Sequence, residues 1–281
     1  MTEPLPDLLI APLVRAALAE DLGRAGDLTS LACVPVEARL NAVFATRKSG
    51  VVSGLACARL AILELDPAAD FEGVARDGAR VGAGETLAWV EANARALLGA
   101  ERVALNLMGR LSGVATLTRA YVDAVESSGV TIVDTRKTTP GLRALEKYAV
   151  RCGGGMNHRF VLDDAILIKD NHIAACGSVG EAVRRARAAA GHLMKVEVEI
   201  DGLAQLEEAL QYGPDVVMLD NFSLADLAEA VRRTAGRARL EASGSVSLET
   251  VRAIADTGVD LISVGALTHS AGILDIGLDA A

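Results

Sequence analysis

Residues 195–234 read KVEVEIDGLAQLEEALQYGPDVVMLDNFSLADLAEAVRRT. Two short β-branched runs, 195–200 and 216–220, alternate with two amphipathic stretches, 203–211 and 224–234, whose apolar residues recur every three or four positions. Strand and helix alternating at this spacing imply right-handed βαβ units, which place the strands parallel in one sheet. Outward from this stretch the rhythm continues. VTIVD (130–134) and AILIK (165–169) lie upstream, RLEA (239–242) and LISVG (261–265) downstream, with further helical stretches at 179–190 and 248–257. Six strands, with a seventh candidate within NHRFVL (157–162), suit a closed or nearly closed β/α barrel. A doubly wound open sheet is the alternative.

The first part of the chain has a different texture. A helix is expected over 8–22, then a turn at GDLTS (26–30), where Asp27 and Thr29 can bond nearby backbone groups. From 40 to 90 short strands are broken by glycine, in NAVFATRKSGVVSGLA (41–56) and FEGVARDGARVGAGETLAWVEA (71–92), around a helix ACARLAILEL (56–65). This mixture predicts a small α/β sandwich. DGARVGAGETLAWV (77–90) is similar to lipoyl-type carrier domains, but Lys48 lacks the tight hairpin that such attachment lysines occupy. A long helical stretch covers 100–129, with Gly109 and Gly113 marking either a break or close packing. The division expected is an N-terminal α/β sandwich domain over 1–112 and a β/α barrel over 113–269, the tail 270–281 being a candidate to pack with the first.

Composition narrows the function. The chain has 281 residues, 51% hydrophobic but only 3% aromatic, and a formal net charge of −9. Few aromatics and an acidic balance argue against nucleic acid, which asks for basic faces and stacking platforms. An anionic small molecule is not excluded, because a pocket is a local matter. Cys33, Cys57, Cys152 and Cys176 are widely spaced, with no CxxC, so reduced thiols are expected rather than a disulfide framework or zinc. The start, MTEPLPDLLIAPLVRAALAEDLG, has no basic n-region, and no apolar run reaches the roughly 18 residues of a membrane span. A cytoplasmic protein is expected.

Nearly every strand of the parallel set ends in a polar cluster. These are Asp134-Thr135-Arg136-Lys137, Lys169-Asp170-Asn171-His172, Glu197 with Glu199, Asp220-Asn221, Glu241-Ala242-Ser243-Gly244-Ser245 and Ser263-Val264-Gly265. A parallel barrel gathers the carboxyl ends of its strands into one mouth, where such folds place their active sites. Between 134 and 172 stand seven Lys/Arg against five Asp/Glu, +2 in a chain that totals −9. Arg136, Lys137, Arg159 and Lys169, with His158, form a cationic group suited to carboxylates and phosphates. Arg143, Lys147 and Arg151 share one helix face and read as a solvated or inter-subunit surface. Glu199 and Asp220, with Glu197 close by, suggest Mg²⁺ beside a polyphosphate; the alternative is that they balance the lysines. The turns EASGSV (241–246) and SVGAL (263–267) offer backbone N–H groups to phosphate, with Ser247 or Leu248 as the N-cap of the following helix.

These motifs resemble one family over nearly the whole chain. DTRKTTPGLRALEKYAVRCGGGMNHR (134–159), LIKDNHI (167–173), VEVEI (196–200), MLDNF (218–222), EASGSV (241–246) and ISVGALTH (262–269) look like quinolinate phosphoribosyltransferase, as do AEDLGRAGDLTS (19–30) and AERVALNLMGRLSG (100–113). The resemblance implies an incomplete parallel β/α barrel with an N-terminal α/β sandwich domain, in a homodimer with active sites shared between subunits. It implies transfer of phosphoribosyl from phosphoribosyl pyrophosphate to quinolinate with decarboxylation. Arg136, His158, Arg159 and Lys169 would hold the quinolinate carboxylates, with Thr135 in the same motif, and Arg102 would reach in from the partner. Lys137, Glu199 and Asp220 would handle pyrophosphate, ribose and Mg²⁺, Glu199 and Asp220 as metal ligands. Ser243, Gly244, Ser245, Gly265 and His269 would surround phosphate groups. Lys137 is also the candidate to protonate the ring carbanion left by decarboxylation. Two departures stand out: Ser245, where many relatives have glycine, and Phe160-Val161 after NHR. The rival readings are a molybdenum-transport-associated homologue, a nicotinate transferase and a non-catalytic sensor of phosphorylated metabolites. The intact DNH segment weighs against the first, the number of cations against the second, and retention of Glu199 and Asp220 against the third.

Overall fold

A computed structural model describes residues 3–281; Met1 and Thr2, at the head of the expected entry turn, lie outside the described residues. In chain order the elements are α1 (Asp7–Leu22), α2 (Leu28–Cys33), β1 (Arg39–Thr46), β2 (Gly50–Val51), α3 (Leu55–Leu65), β3 (Asp70–Gly73), β4 (Arg80–Val81), β5 (Thr86–Asn93) and α4 (Ala94–Ala124). Next come β6 (Thr131–Val133), α5 (Arg143–Cys152), β7 (Ile166–Ile168), α6 (Asp170–Cys176), α7 (Val179–Ala189), β8 (Val196–Ile200), α8 (Leu203–Gln211) and β9 (Val216–Asp220). The chain ends with α9 (Leu224–Thr234), β10 (Arg239–Ser243), α10 (Val251–Ala255), β11 (Leu261–Ser263), α11 (Ala266–His269) and β12 (Ile276–Ala280).

Two compact units result. The first takes residues 1–119, 138–154 and 267–281; the second takes 120–137 and 155–266. The boundary read from the sequence, 112/113, falls inside α4, a single unbroken helix.

In the first unit an antiparallel sheet has the order β12-β1-β5-β3. Alternation along β5 buries Ala88, Val90 and Ala92 and leaves Trp89 and Glu91 outside. The C-terminal strand β12 completes the sheet edge by pairing with β1, Phe44 facing Leu278. The GDLTS segment starts a helix instead of making an isolated turn. Asp27 Oδ1 accepts from the N–H groups of Thr29 (3.0 Å) and Ser30 (3.1 Å), capping α2. Gly113 marks close packing, since a Cβ there would run into the Gly272 carbonyl. Helix α5 corrects the expectation for Lys147. That residue is fully buried, as are Leu145, Glu146, Tyr148, Ala149 and Val150, so the helix hides most of its circumference. Tyr148 and Cys152 pack against Val51 and Ala115 in the core of this unit. A charged i, i+4 series gives no warning of this, because burial is decided by partners remote in sequence.

In the second unit six parallel strands follow the order β6-β11-β10-β9-β8-β7. From β7 to β11 the order is sequential, and β6 sits beyond β11. This is the cyclic order of a barrel opened between β6 and β7. It lacks the reversal of a doubly wound sheet, and so settles the alternative. The expected seventh strand in 157–162 does not form; just before it, Met156 makes a single bridge to Val133. One face of the sheet is apolar, with Val196, Val198, Val217, Leu219, Leu240 and Ile262 all at 3% exposure or less. The amphipathic helices α7, α8 and α9 supply the matching buried side chains, among them Val183, Leu206, Ala209 and Leu227. The opposite face carries Glu197, Glu199, Met218, Asp220, Glu241 and Ser243.

Candidate active site

The carboxyl ends of the six strands deliver ten of the residues singled out from the sequence to one end of the second unit: Thr135, Arg136, Lys137, Lys169, Glu199, Asp220, Ser243, Gly244, Ser245 and Gly265. The loop 155–165 of the same unit carries two more, His158 and Arg159. Arg102, exposed on α4, and His269, whose Nδ1 lies 2.6 Å from Ser270 Oγ, belong to the first unit.

Asp134 organises the cationic side. It is fully buried just beyond β6, and its carboxylate accepts from Asn157 Nδ2 at 2.6 Å and from the His158 N–H at 2.9 Å. Backbone bonds from Met156 to Ile132 and from Asp134 to Met156 complete the clamp. Two segments about twenty residues apart are therefore fixed side by side, one carrying Arg136 and Lys137 and the other His158 and Arg159. Thr135 Oγ1 accepts from the Lys137 N–H (3.1 Å) and closes the first turn. Arg159 donates from Nη1 to the Ala165 carbonyl (3.0 Å), while its Nε is buried without a partner among the described residues. Burial first, and then the positive charge of Arg136, lower the pKa of the Arg159 guanidinium. Two like charges held together with an unmet donor form a site that an anion completes.

Lys169 follows β7, and its backbone N–H is held by His172 Nδ1 at 2.9 Å. The Lys169 Nζ meets Glu199 Oε2 at 2.6 Å. On the next strand Asp220 accepts from Asn221 Nδ2 (2.7 Å) and stands in register with Ser243. Glu199 and Asp220 thus end adjacent paired strands. A pair of hard carboxylate donors on neighbouring strands is the kind of set that suits Mg²⁺. Glu197 joins neither of them. It turns to His158, Nε2 to Oε2 at 2.8 Å, with buried Glu241 beyond at 3.8 Å from the same nitrogen. His158 Nδ1 in turn accepts from the Arg159 N–H at 2.7 Å, so both ring nitrogens face protein groups. This second set offers three ligand atoms within 4.8 Å of one another, but one is an imidazole nitrogen and two are already paired, a poor match to Mg²⁺.

The turn after β10 has two residues with positive φ, Gly244 at 102° and Ser245 at 46°. A Cβ at Gly244 would collide with the Asn221 side chain, which explains the glycine. Ser245 occupies the left-handed region that glycine tolerates better. Ser245→Gly is expected to stabilise the protein by about 0.5–1 kcal/mol, a rise of roughly 1–3 °C in thermal midpoint; an unchanged or lower midpoint would refute the strain. The helix beyond starts later than expected. Ser247 N–H bonds Thr250 Oγ1 (3.0 Å), and α10 begins only at Val251, with Thr250 as N-cap.

Sequence reading missed the organising roles of Asp134, Asn157, His172 and Glu241. Their polarity inside or beside apolar strands was visible, but their partners come from distant segments.

The chain matches the family described as "Quinolinate phosphoribosyl transferase, N-terminal domain" over residues 27–112 and "Quinolinate phosphoribosyl transferase, C-terminal domain" over 114–279. It is 49% identical over 274 residues to the nicotinate-nucleotide pyrophosphorylase (carboxylating) of Mycobacterium leprae, covering 95% of each chain. It is 46% identical to the probable enzyme of the same name from Bacillus subtilis, covering 97% of this chain and 93% of that one. The solved structure of the nicotinate-nucleotide pyrophosphorylase from Francisella tularensis superimposes with a TM-score of 0.95 at 38% identity, over 100% of this chain and 99% of that one.

Proposed function

Because the chain belongs to the quinolinate phosphoribosyltransferase family, we propose that the charged mouth of its parallel sheet divides one reaction among three groups of side chains. The reaction is transfer of phosphoribosyl from phosphoribosyl pyrophosphate to quinolinate with loss of carbon dioxide. It gives nicotinate mononucleotide and pyrophosphate in de novo NAD biosynthesis.

The observation that carries the division is Arg159, half-buried beside the charge of Arg136, with its buried Nε unmet among the described residues. Arg136, Arg159 and Lys169 take the two carboxylates of quinolinate, with His158 beneath them. Lys169 exchanges Glu199 for the substrate as it does so. Lys137, Glu199 and Asp220 face the pyrophosphate and ribose. Glu199 and Asp220 would hold Mg²⁺, which when bound neutralises leaving-group charge. Ser243, Gly244, Ser245 and Gly265, in the turns after β10 and β11, surround a phosphate.

Chemistry then follows from positioning. The pyridine nitrogen attacks C1 of the ribose as the C1–O bond to pyrophosphate breaks, and Lys137 meets the charge that leaves. The ring is now a pyridinium. The C–C bond to the carboxylate beside nitrogen breaks with its electrons retained on the ring carbon, and a proton replaces the lost carbon dioxide.

Arg102 acts in the neighbouring subunit's site, in a cytoplasmic homodimer. Four free cysteines, and the lack among the described residues of a helix able to cross a membrane, are in keeping with that location. Neither an Arg102→Ala nor a Lys137→Ala dimer is expected to turn over. A purified heterodimer of the two variants is expected to recover activity, because one of its two sites is then whole. A proven heterodimer with no recovery would refute the trans placement.

A further inference from the structure

We infer that Glu197 and Glu241 are positioning residues for the quinolinate side of the site, acting through the His158 ring to hold Arg159 in place. The inference rests on the division of roles above. A nitrogen that accepts carries no hydrogen, and Nδ1 of His158 accepts from the Arg159 N–H at 2.7 Å. The ring hydrogen is therefore on Nε2, where it donates to Glu197 Oε2 at 2.8 Å. That tautomer is the only neutral form able to satisfy both contacts. It ties the backbone of Arg159 to a carboxylate on β8, a strand that the loop 155–165 does not otherwise pair with.

Glu241 explains why Glu197 stays in place. It is 2% exposed, on β10, in the row that runs through Met218 to Glu199. Glu197 and Glu241 each have one buried oxygen, Oε1, with no hydrogen-bond partner among the described residues. Burial, and then the nearby Glu197, push the Glu241 carboxyl up to about 8. At 3.8 Å from His158 Nε2, against 2.8 Å for Glu197, Glu241 stands behind the contact and leaves Glu197 as the acceptor. Such an arrangement serves a mouth that must present fixed cations, because an imidazolium would not accept from Arg159.

Two measurements test this on the full-length protein. The chain has four histidines, and ¹⁵N spectra of histidine-labelled protein near neutral pH are expected to show His158 with an unprotonated Nδ1 and a protonated Nε2. A doubly protonated ring, or the opposite tautomer, would overturn the inference. In kinetics, Glu197→Gln is expected to raise KM for quinolinate about tenfold, as loss of a charge-assisted bond does, with KM for phosphoribosyl pyrophosphate within about twofold. Glu241→Ala is expected to do the same, and Glu241→Gln to restore most of the loss. Equal effects on both substrates, or no rescue by glutamine, would mean that the pair only supports the fold. If the unmodified protein did not turn over quinolinate at all, the functional reading would fail, while the tautomer result would stand or fall independently.

Discussion

Arg136→Ala is expected to lower kcat/KM by about 10²–10³-fold, the scale of losing one preorganised charged donor, with little change in thermal midpoint. Arg136 is exposed just past β6, so its removal leaves no buried partner stranded. What it does in the folded protein is raise the positive potential around Arg159, and removing it relieves that repulsion while weakening the hold on a dicarboxylate. Lysine at the same position restores charge but not the planar fork, so Arg136→Lys should recover only part of the loss. Steady-state kinetics with both substrates varied, alongside a melting curve, reads the outcome. Normal activity in Arg136→Ala would remove Arg136 from the site.

Arg110→Ala is expected to produce the largest loss of stability, about 3–5 kcal/mol, because it leaves a buried charge without its partner. Glu146 is fully buried on α5, and Arg110 reaches it with Nη2 at 2.7 Å and Nε at 3.1 Å. The same guanidinium donates to the carbonyls of Ala271 (2.8 Å) and Thr268, pinning the segment that leads to β12. Glu146 also accepts from Thr139, through N–H at 3.0 Å and Oγ1 at 2.8 Å. One ion pair therefore joins α4, α5, the loop after Lys137 and the C-terminal segment. Denaturant unfolding of Arg110→Ala should show the deficit. Replacing both partners by apolar residues, Arg110→Met with Glu146→Leu, should recover much of it. A single-variant loss under about 1 kcal/mol would mean that Glu146 is adequately held by Thr139 alone.

These two arginines mark what sequence shows and what it hides. Arg136 was legible because it stands at a strand end, within a motif whose neighbours repeat the same charge. Arg110 was not, since its partner lies 36 residues on and its carbonyl targets about 160 residues on. The parallel sheet was legible for a similar local reason. Each strand is a short apolar run bounded by polar residues, and each is followed by a helix with its own period. The register within 157–162 was not, because RFVL alternates weakly and its neighbour β6 spares only the bridge at Val133. Lys147 misled in the opposite direction, since a lysine at helical spacing with other cations reads as surface until the burial of its whole helix is seen. Glu197 and Glu241 were conspicuous as acids in apolar strands. Only the fold shows that one loop histidine, His158, comes between them and Arg159.

The most direct test of the account is turnover itself. The purified protein should be incubated with phosphoribosyl pyrophosphate, Mg²⁺ and quinolinate labelled in the carboxylate beside the ring nitrogen. Labelled carbon dioxide, pyrophosphate and nicotinate mononucleotide are expected in equal amounts, with quinolinate preferred over nicotinate. Absence of carbon dioxide release, or a preference for the monocarboxylate, would contradict the claim that the paired cations of this mouth are built for a dicarboxylate.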